Sequence, residues 1–344
     1  MEGISLEELQ LAARNHGMPL EALRHEITPQ GLHYLLVHYD IPVVDPAAWR
    51  LRVGALELSL DDLRAREAVT VAVTMECAGN GRAALEPRPI SQPWLVEAVG
   101  TAEWTGTPLA PLLRDIGMPD GTVDVVFTGL DRGVEGGVEQ LYRRSLSVAD
   151  AMGDDVLLAY AMNGAPLPPQ HGFPLRLVVP GWYGMTSVKW LRSIEFSAEP
   201  FAGYQQATSY RFRQDPDEEG TPVTRIEPRS LMVPPGIPDF LTRRRFLAPG
   251  VVRLEGRAWS GWGPIALVEV SADGGASWAP ASVGEPPGPG AWTPWWFEWD
   301  AGVGEQELCV RAHDVTGRRQ PDEPPWNVGG YANNAIQRVP VTVG

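Results

Sequence analysis

The apolar pattern of this 344-residue chain changes character near residue 225, and the change dictates two cores of different kind. Downstream, every apolar run is short, alternates with period two and is broken by turn residues. The runs are VVRLEGRAWSG (251–261), IALVEVSADGGASWAP (265–280), WTPWWFEWDA (292–301), QELCVRAHDVTG (306–317) and AIQRVPVTV (335–343). Turn signals such as Asp273-Gly274-Gly275 separate them. Strands at this spacing, with no helical period among them, predict an all-β immunoglobulin-like sandwich over 226–344.

Upstream the pattern is mixed. SLEELQLAA (5–13) reads as a helix with Ser5 as N-cap and Glu8 completing a capping box, and Ser59 caps a second helix in SLDDLRAR (59–66). LHYLLVHYDIPVV (32–44) reads as extended chain ending at prolines. Strands are predicted in WRLRVGAL (49–56), VTVAVTMEC (69–77), VDVVFTGLD (123–131), DVLLAYAMNG (155–164), FPLRLVVPG (173–181) and SVKWLRSIEF (187–196). Residues 1–225 are therefore expected to form a mixed α/β domain, making the chain α+β overall. The 37 glycines and 33 prolines suit strands joined by many turns. Chemistry-bearing residues gather at strand ends, Cys77 and Asp131 among them, where α/β-type folds place their sites.

A net charge of −15 with no long basic tract argues against nucleic-acid and anionic-membrane partners. No run approaches the ~20 apolar residues of a membrane span. The N-terminal residues carry neither a basic n-region nor an apolar core, so a cytoplasmic location is expected. Two cysteines, Cys77 and Cys309, make neither a disulfide framework nor a four-cysteine zinc site.

Cys77 ends an apolar strand and is followed by Gly79, Asn80, Gly81 and Arg82. This reads as an exposed thiol on a tight turn, with an arginine able to lower its pKa. Two chemistries fit: a nucleophile paired with a histidine base, or a thiolate ligand for a transition metal. A second constellation lies in HGFPLRLVVPGWYGMTSVKWL (171–191). His171, Arg176 and Lys189 could together grip a phosphate, Arg in bidentate fashion and Lys as a point charge. As isolated residues they read more readily as surface groups on strand edges, Asp131 as a turn former, and His38 as a satisfied core histidine. Trp94 and Trp182 are candidates for a pocket wall.

Glu76-Cys77-Ala78-Gly79-Asn80-Gly81-Arg82 resembles the Cys-Ala-Gly-Asn-x-Arg signature of the sulfite oxidase family of molybdenum enzymes. AYAMNGAPLPPQHGFPLRLVVPG (159–181) with SVKWL (187–191) is similar to that family's later signature. GRAWSG, VEVSADGGASW and PPWNVGGYANNA resemble its immunoglobulin-like dimerisation domain. The resemblance implies one molybdopterin with its molybdenum, and Cys77 as the protein thiolate on the metal. It implies that His38, Asp131, His171, Arg176, Ser187 and Lys189 hold the pterin and its phosphate, and that Arg82 and Tyr210 line the substrate pocket. The implied activity is oxidation of sulfite to sulfate, with electrons passed to an external acceptor such as a cytochrome, in a homodimer. No haem-attachment motif or appended redox domain is expected within the chain. Two positions depart from the family pattern, where Leu36 and Gly329 stand in place of arginines. Each lost guanidinium removes charge-assisted hydrogen bonds of ~1.5–3 kcal/mol to an anion. The same cofactor could therefore serve another substrate, a sulfoxide or nitrate.

Overall fold

The computed structural model describes residues 3–344. The first helix forms at Leu6–Arg14, with the Ser5 hydroxyl accepting from Glu8 N and the Glu8 carboxylate accepting from Ser5 N. The second forms at Leu60–Arg64, where Asp62 closes the same reciprocal cap on Ser59.

Two five-stranded sheets organise the residues before 225, with a two-stranded ladder of Arg211–Phe212 and Thr221–Pro222 beside them. One is antiparallel, with Val69–Glu76, Val99–Pro108 and Leu157–Met162 in that order; Ala165–Pro166 and Arg176–Val178 share the far edge of Leu157–Met162. The other runs Leu56–Leu58, Leu51–Val53, Leu191–Ser197, Asp124–Glu135, Val138–Ser147, and only its Leu51–Val53 and Leu191–Ser197 pair is parallel.

Several sequence expectations change here. The single strand over 49–56 is a hairpin that turns back at Gly54 (φ +57). The strand before Cys77 is not one-sided, because Thr74 and Glu76 are buried along with Met75. The strand expected to finish at Asp131 continues to Glu135, with a register shift between Thr128 and Arg132. Asp131 therefore sits at a bulge, which re-aims a side chain without ending the strand.

After residue 225 there are again two sheets. One orders Arg229–Met232, Gly250–Trp259, Thr293–Ala301 and Ser282–Val283. The other orders Ile237–Pro238, Arg245–Leu247, Gln337–Val343, Gly304–Asp314, Ile265–Ser271 and Ala279–Pro280. Val268, Val270, Trp295, Trp299, Leu308, Val310 and Val341 form the core that both sheets contribute to. Four of these strands, starting at Arg229, Ile237, Arg245 and Ser282, were not foreseen. They span two to four residues each, too short for a period to show.

The two halves share a core. Trp259, Trp292, Leu231, Tyr331 and Ala332 join the apolar cluster of the first half. The fully buried Trp292 donates its indole N–H to Glu26 O at 2.7 Å. Removing ~200 Å² of such a side chain from water is worth about 5 kcal/mol before ordering costs. The joint matters for the site, because residues 76–82 are anchored from the second half. Arg229 pairs with Glu76 at 3.2 Å, and Trp259 Nε1 donates to the same carboxylate at 2.8 Å. Ala332 N donates to Ala78 O at 2.8 Å, and Asn333 Nδ2 to Gly81 O at 2.7 Å.

Candidate active site

Cys77 follows immediately on its strand and lines a narrow cleft. Its residue exposure is 8 %, so the expected exposed thiol is a buried one, covered from both halves of the chain. Burial pushes its pKa up, and the nearby Arg82 charge only partly opposes this; the expected lowering does not occur. The groups that most affect its ionisation are Arg82, the Gly79 backbone, Trp94 and Glu76. Cys77 and Cys309 are both free.

The cleft gathers most of the residues singled out from sequence: His38, Asp131, His171, Arg176, Ser187, Lys189 and Tyr210 all line it with Cys77. Arg176 donates to His171 O at 3.1 Å and Ser187 O at 3.2 Å, and its guanidinium lies 4.6 Å from the Trp104 ring centre. No carboxylate among the described residues pairs with it, and burial holds its pKa down to about 10. Lys189 donates to Leu36 O at 2.7 Å and Gln170 O at 3.1 Å. Burial and the Arg176 charge push its ammonium down, while burial pushes the Asp131 carboxyl up against the pull of Lys189. The Ser187 hydroxyl accepts from Val179 N at 3.1 Å and so ties the loop to the preceding strand.

Local backbone places these groups. Gly129 stands at the bulge beside Asp131. A Cβ there would lie 2.4 Å from Asp131 Oδ1 and 2.8 Å from Lys189 O, so any larger residue would push the two apart. Trp190 adopts φ +47, a left-handed conformation rare for a bulky residue and worth ~1–3 kcal/mol of strain. Its indole N–H donates to Pro169 O at 2.7 Å and its carbonyl accepts from Leu130 N at 2.9 Å. These bonds hold the kink that turns Lys189 toward the cleft.

Three histidines meet the cleft. His38 Nε2 is 2.5 Å from the Tyr210 hydroxyl, and burial with the charges of Lys189, Arg144 and Arg82 lowers its pKa to about 3. His171 is lowered to about 2, chiefly by burial. His33, which sequence reasoning passed over, is lowered to about 4 by burial, and its Nε2 has no partner. Asp131 Oδ1 and Thr186 Oγ1 are likewise buried without one.

On the other side of Cys77 a second recess of about 840 Å³ is lined by Arg82, Tyr210, Tyr331, Trp94, Leu36 and Glu135, among others. Arg82 is buried. Its Nε donates to Gly329 O at 2.9 Å and its Nη1 to Gln92 O at 3.3 Å, leaving Nη2 without an acceptor among the described residues. Gly79 is required beneath it, since a Cβ there would touch the guanidinium at 2.6 Å. Trp94 meets the expectation of a pocket wall. Trp182 does not: it lies outside both recesses and packs against Arg225. Tyr331 and Arg144 were also missed. Nothing in a lone tyrosine or a strand arginine advertises a contact with residues more than sixty positions away.

Among the described residues no three His, Cys, Asp or Glu side chains cluster as a metal cage. None of the described helices is long and apolar enough to cross a membrane.

Comparison with known proteins follows the same division. Residues 38–205 match the family described as oxidoreductase molybdopterin binding domain, and residues 226–344 the Mo-co oxidoreductase dimerisation domain. Sulfite oxidase of Gallus gallus is 36% identical over 348 residues, covering 93% of this chain and 74% of that one. Mitochondrial sulfite oxidase of Homo sapiens is 35% identical and covers 92% of this chain, which spans 62% of the human protein's length. An NADH nitrate reductase of Hordeum vulgare is 30% identical, covering 94% of this chain and 40% of that one. The solved sulfane dehydrogenase SoxCD of Paracoccus pantotrophus superimposes with a TM-score of 0.81 at 28% identity, covering 94% of this chain and 82% of that one.

Proposed function

We propose that this chain, which belongs to the sulfite oxidase family of molybdopterin-dependent oxidoreductases, oxidises sulfite to sulfate and passes the electrons to an external acceptor. The observation that carries this is the position of Cys77 between two unlike recesses, one lined by unpaired cations and one by a single free guanidinium edge.

The cleft fits the family's cofactor. It offers one soft thiolate for a metal. It offers Arg176 and Lys189, neither in a direct ion pair among the described residues, for a phosphate. Its buried polar atoms without partners, on His33 and Asp131, suit a heterocycle edged with donors and acceptors. In this reading Cys77 ligates molybdenum, and His38, Asp131, His171, Arg176, Ser187 and Lys189 hold the pterin and phosphate. When bound, the cofactor supplies oxygen-atom transfer and a temporary store for two electrons.

The chain's own residues do the rest. Arg82 Nη2 draws an oxoanion toward Cys77 and orients it. Tyr210 and neutral His38 share one proton across their 2.5 Å contact, so the pair can donate to or accept from a substrate oxygen. Apolar Leu36 and Trp94 limit water in the recess, which strengthens each of these contacts. Overall, sulfite and water yield sulfate, two electrons and two protons, and the electrons leave for a separate acceptor such as a cytochrome. Residues 1–225 would be the catalytic domain, and 226–344 an immunoglobulin-like domain that pairs two copies.

A second reading has one observation in its favour. Leu36 is apolar and Gly329 gives the recess only a carbonyl, already used by Arg82. A neutral sulfoxide, or nitrate, would ask less of such a pocket than sulfite does. Sulfite-dependent reduction of ferricyanide by molybdenum-loaded protein separates the readings. Saturable turnover at micromolar sulfite supports sulfite oxidation. Metal-loaded protein that is inert to sulfite but turns over a sulfoxide or nitrate overturns it.

A further inference from the structure

Arg144, on the strand Val138–Ser147, is a cation buried without an acid. It makes no ion pair among the described residues, its Nε has no partner, and its one hydrogen bond runs from Nη1 to Gln205 O at 2.5 Å. Its guanidinium lies 5.6 Å from the Tyr210 ring centre. Tyr210 is tilted against Tyr331 at 5.1 Å, and Tyr331 lies 5.3 Å from the Arg82 guanidinium. The four side chains form one column, two phenol rings between two cations, and the rings wall the recess beside Cys77. Among the described residues the only carboxylate lining that recess is Glu135, which accepts from Tyr39 Oη at 2.7 Å and from Gln205 Nε2 at 3.5 Å.

A buried unpaired charge costs several kcal/mol. Support for the Gln205–Ser209 turn does not explain it, because a neutral glutamine could bond the same carbonyl without that cost. What the charge adds is positive potential in a low-dielectric pocket, and its field already reaches His38. We propose that Arg144 is a specificity-determining residue that selects a tetrahedral or pyramidal oxoanion in the Arg82 recess, acting from behind Tyr210. This deepens the sulfite reading and rests on it for the identity of the substrate.

The test uses holoenzyme and three proteins: wild type, Arg144→Gln and Arg144→Lys. Sulfate and its neutral tetrahedral counterpart, dimethyl sulfone, are titrated calorimetrically, and sulfite KM and kcat are measured alongside. In Arg144→Gln, the sulfate Kd and sulfite KM should rise roughly 10-fold, the effect of removing one nearby charge from a low-dielectric recess, while kcat stays within about threefold. Arg144→Lys should recover most of the affinity, and dimethyl sulfone should bind all three alike. Unchanged sulfate affinity in Arg144→Gln overturns the proposal, and so does equal loss of both ligands, which would mark a structural role. If Arg144→Gln fails to fold, wild type decides: it must prefer sulfate to the sulfone by at least about tenfold, and equal binding overturns the proposal. Wild type that binds sulfate in this way but does not oxidise sulfite leaves the Arg144 assignment standing and removes the substrate reading.

Discussion

On both sides of Cys77 the cations donate to backbone carbonyls and lie against rings, Arg176 and Lys189 on the indoles of Trp104 and Trp190, Arg82 and Arg144 on the phenols of Tyr331 and Tyr210. Arg176 and Lys189 line the cleft from fixed carbonyl cradles, with partnerless His33 and Asp131 atoms lining it beside them. That is an arrangement for a polar group that stays. Arg82 and Arg144 instead bracket Tyr210 and Tyr331, with one guanidinium edge free and apolar Leu36 and Trp94 beside it. That is an arrangement for a ligand that comes and goes. One thiol divides the two, and it is held in place from the second half of the chain.

The largest expected effect is of acid on cofactor-free protein. His33, His38 and His171 have folded pKa values of about 4, 3 and 2, below the unfolded value near 6.5. The unfolded chain binds more protons below that value, so stability should fall as pH drops from about 6.5 to 4.5. Each net proton contributes up to about 1.4 kcal/mol per pH unit. Asp131, pushed upward, binds a proton on folding in the same window and offsets one histidine. A melting curve flat across this window would mean that the cleft histidines are not neutral.

Next in size is the support common to both sides. Arg229→Met leaves Glu76 buried without its counter-charge and should destabilise the protein by about 3–5 kcal/mol, read by chemical denaturation. A loss under 1 kcal/mol would mean that Trp259 and Asn80, whose Nδ2 donates to Glu76 Oε1 at 2.9 Å, satisfy Glu76 alone. Third, Arg176→Met should weaken cofactor retention by about 10- to 100-fold, one charge-assisted contact, while raising the melting temperature of cofactor-free protein. A fall in both quantities would break the distinction between the sides, since Arg176 would then be structural.

The smallest effect is on the Arg82 side. A Cβ at Gly329 would meet the Tyr331 ring at 2.2 Å, so Gly329→Arg alone should cost about 1–3 kcal/mol through overpacking. Adding Tyr331→Ala should relieve it and lower the sulfite KM. If Gly329→Arg is tolerated alone, Tyr331 is not what fills that space.

Much of the Arg176 side was legible in the sequence because its residues are local. His171, Arg176, Ser187 and Lys189 fall within nineteen positions, and Cys77 and Arg82 within six. Their environment was not legible. The thiol read as exposed, because the residues that bury its loop, Arg229, Trp259, Ala332 and Asn333, lie in the other half of the chain. Asp131 read as a strand end because a bulge carries no sequence period. Arg144 and Tyr331 gain their meaning only from stacking on Tyr210 and Arg82.

The most direct test of the division at Cys77 is X-ray absorption at the molybdenum edge in wild type and Cys77→Ser, each brought to equal metal content. One sulfur fewer around the metal in the serine variant, with activity reduced at least about a hundredfold, is the predicted result, since even residues behind a metal ligand cost 10–100-fold. The same sulfur count in both proteins would contradict it, and Cys77 would then be a buried core thiol beside the site.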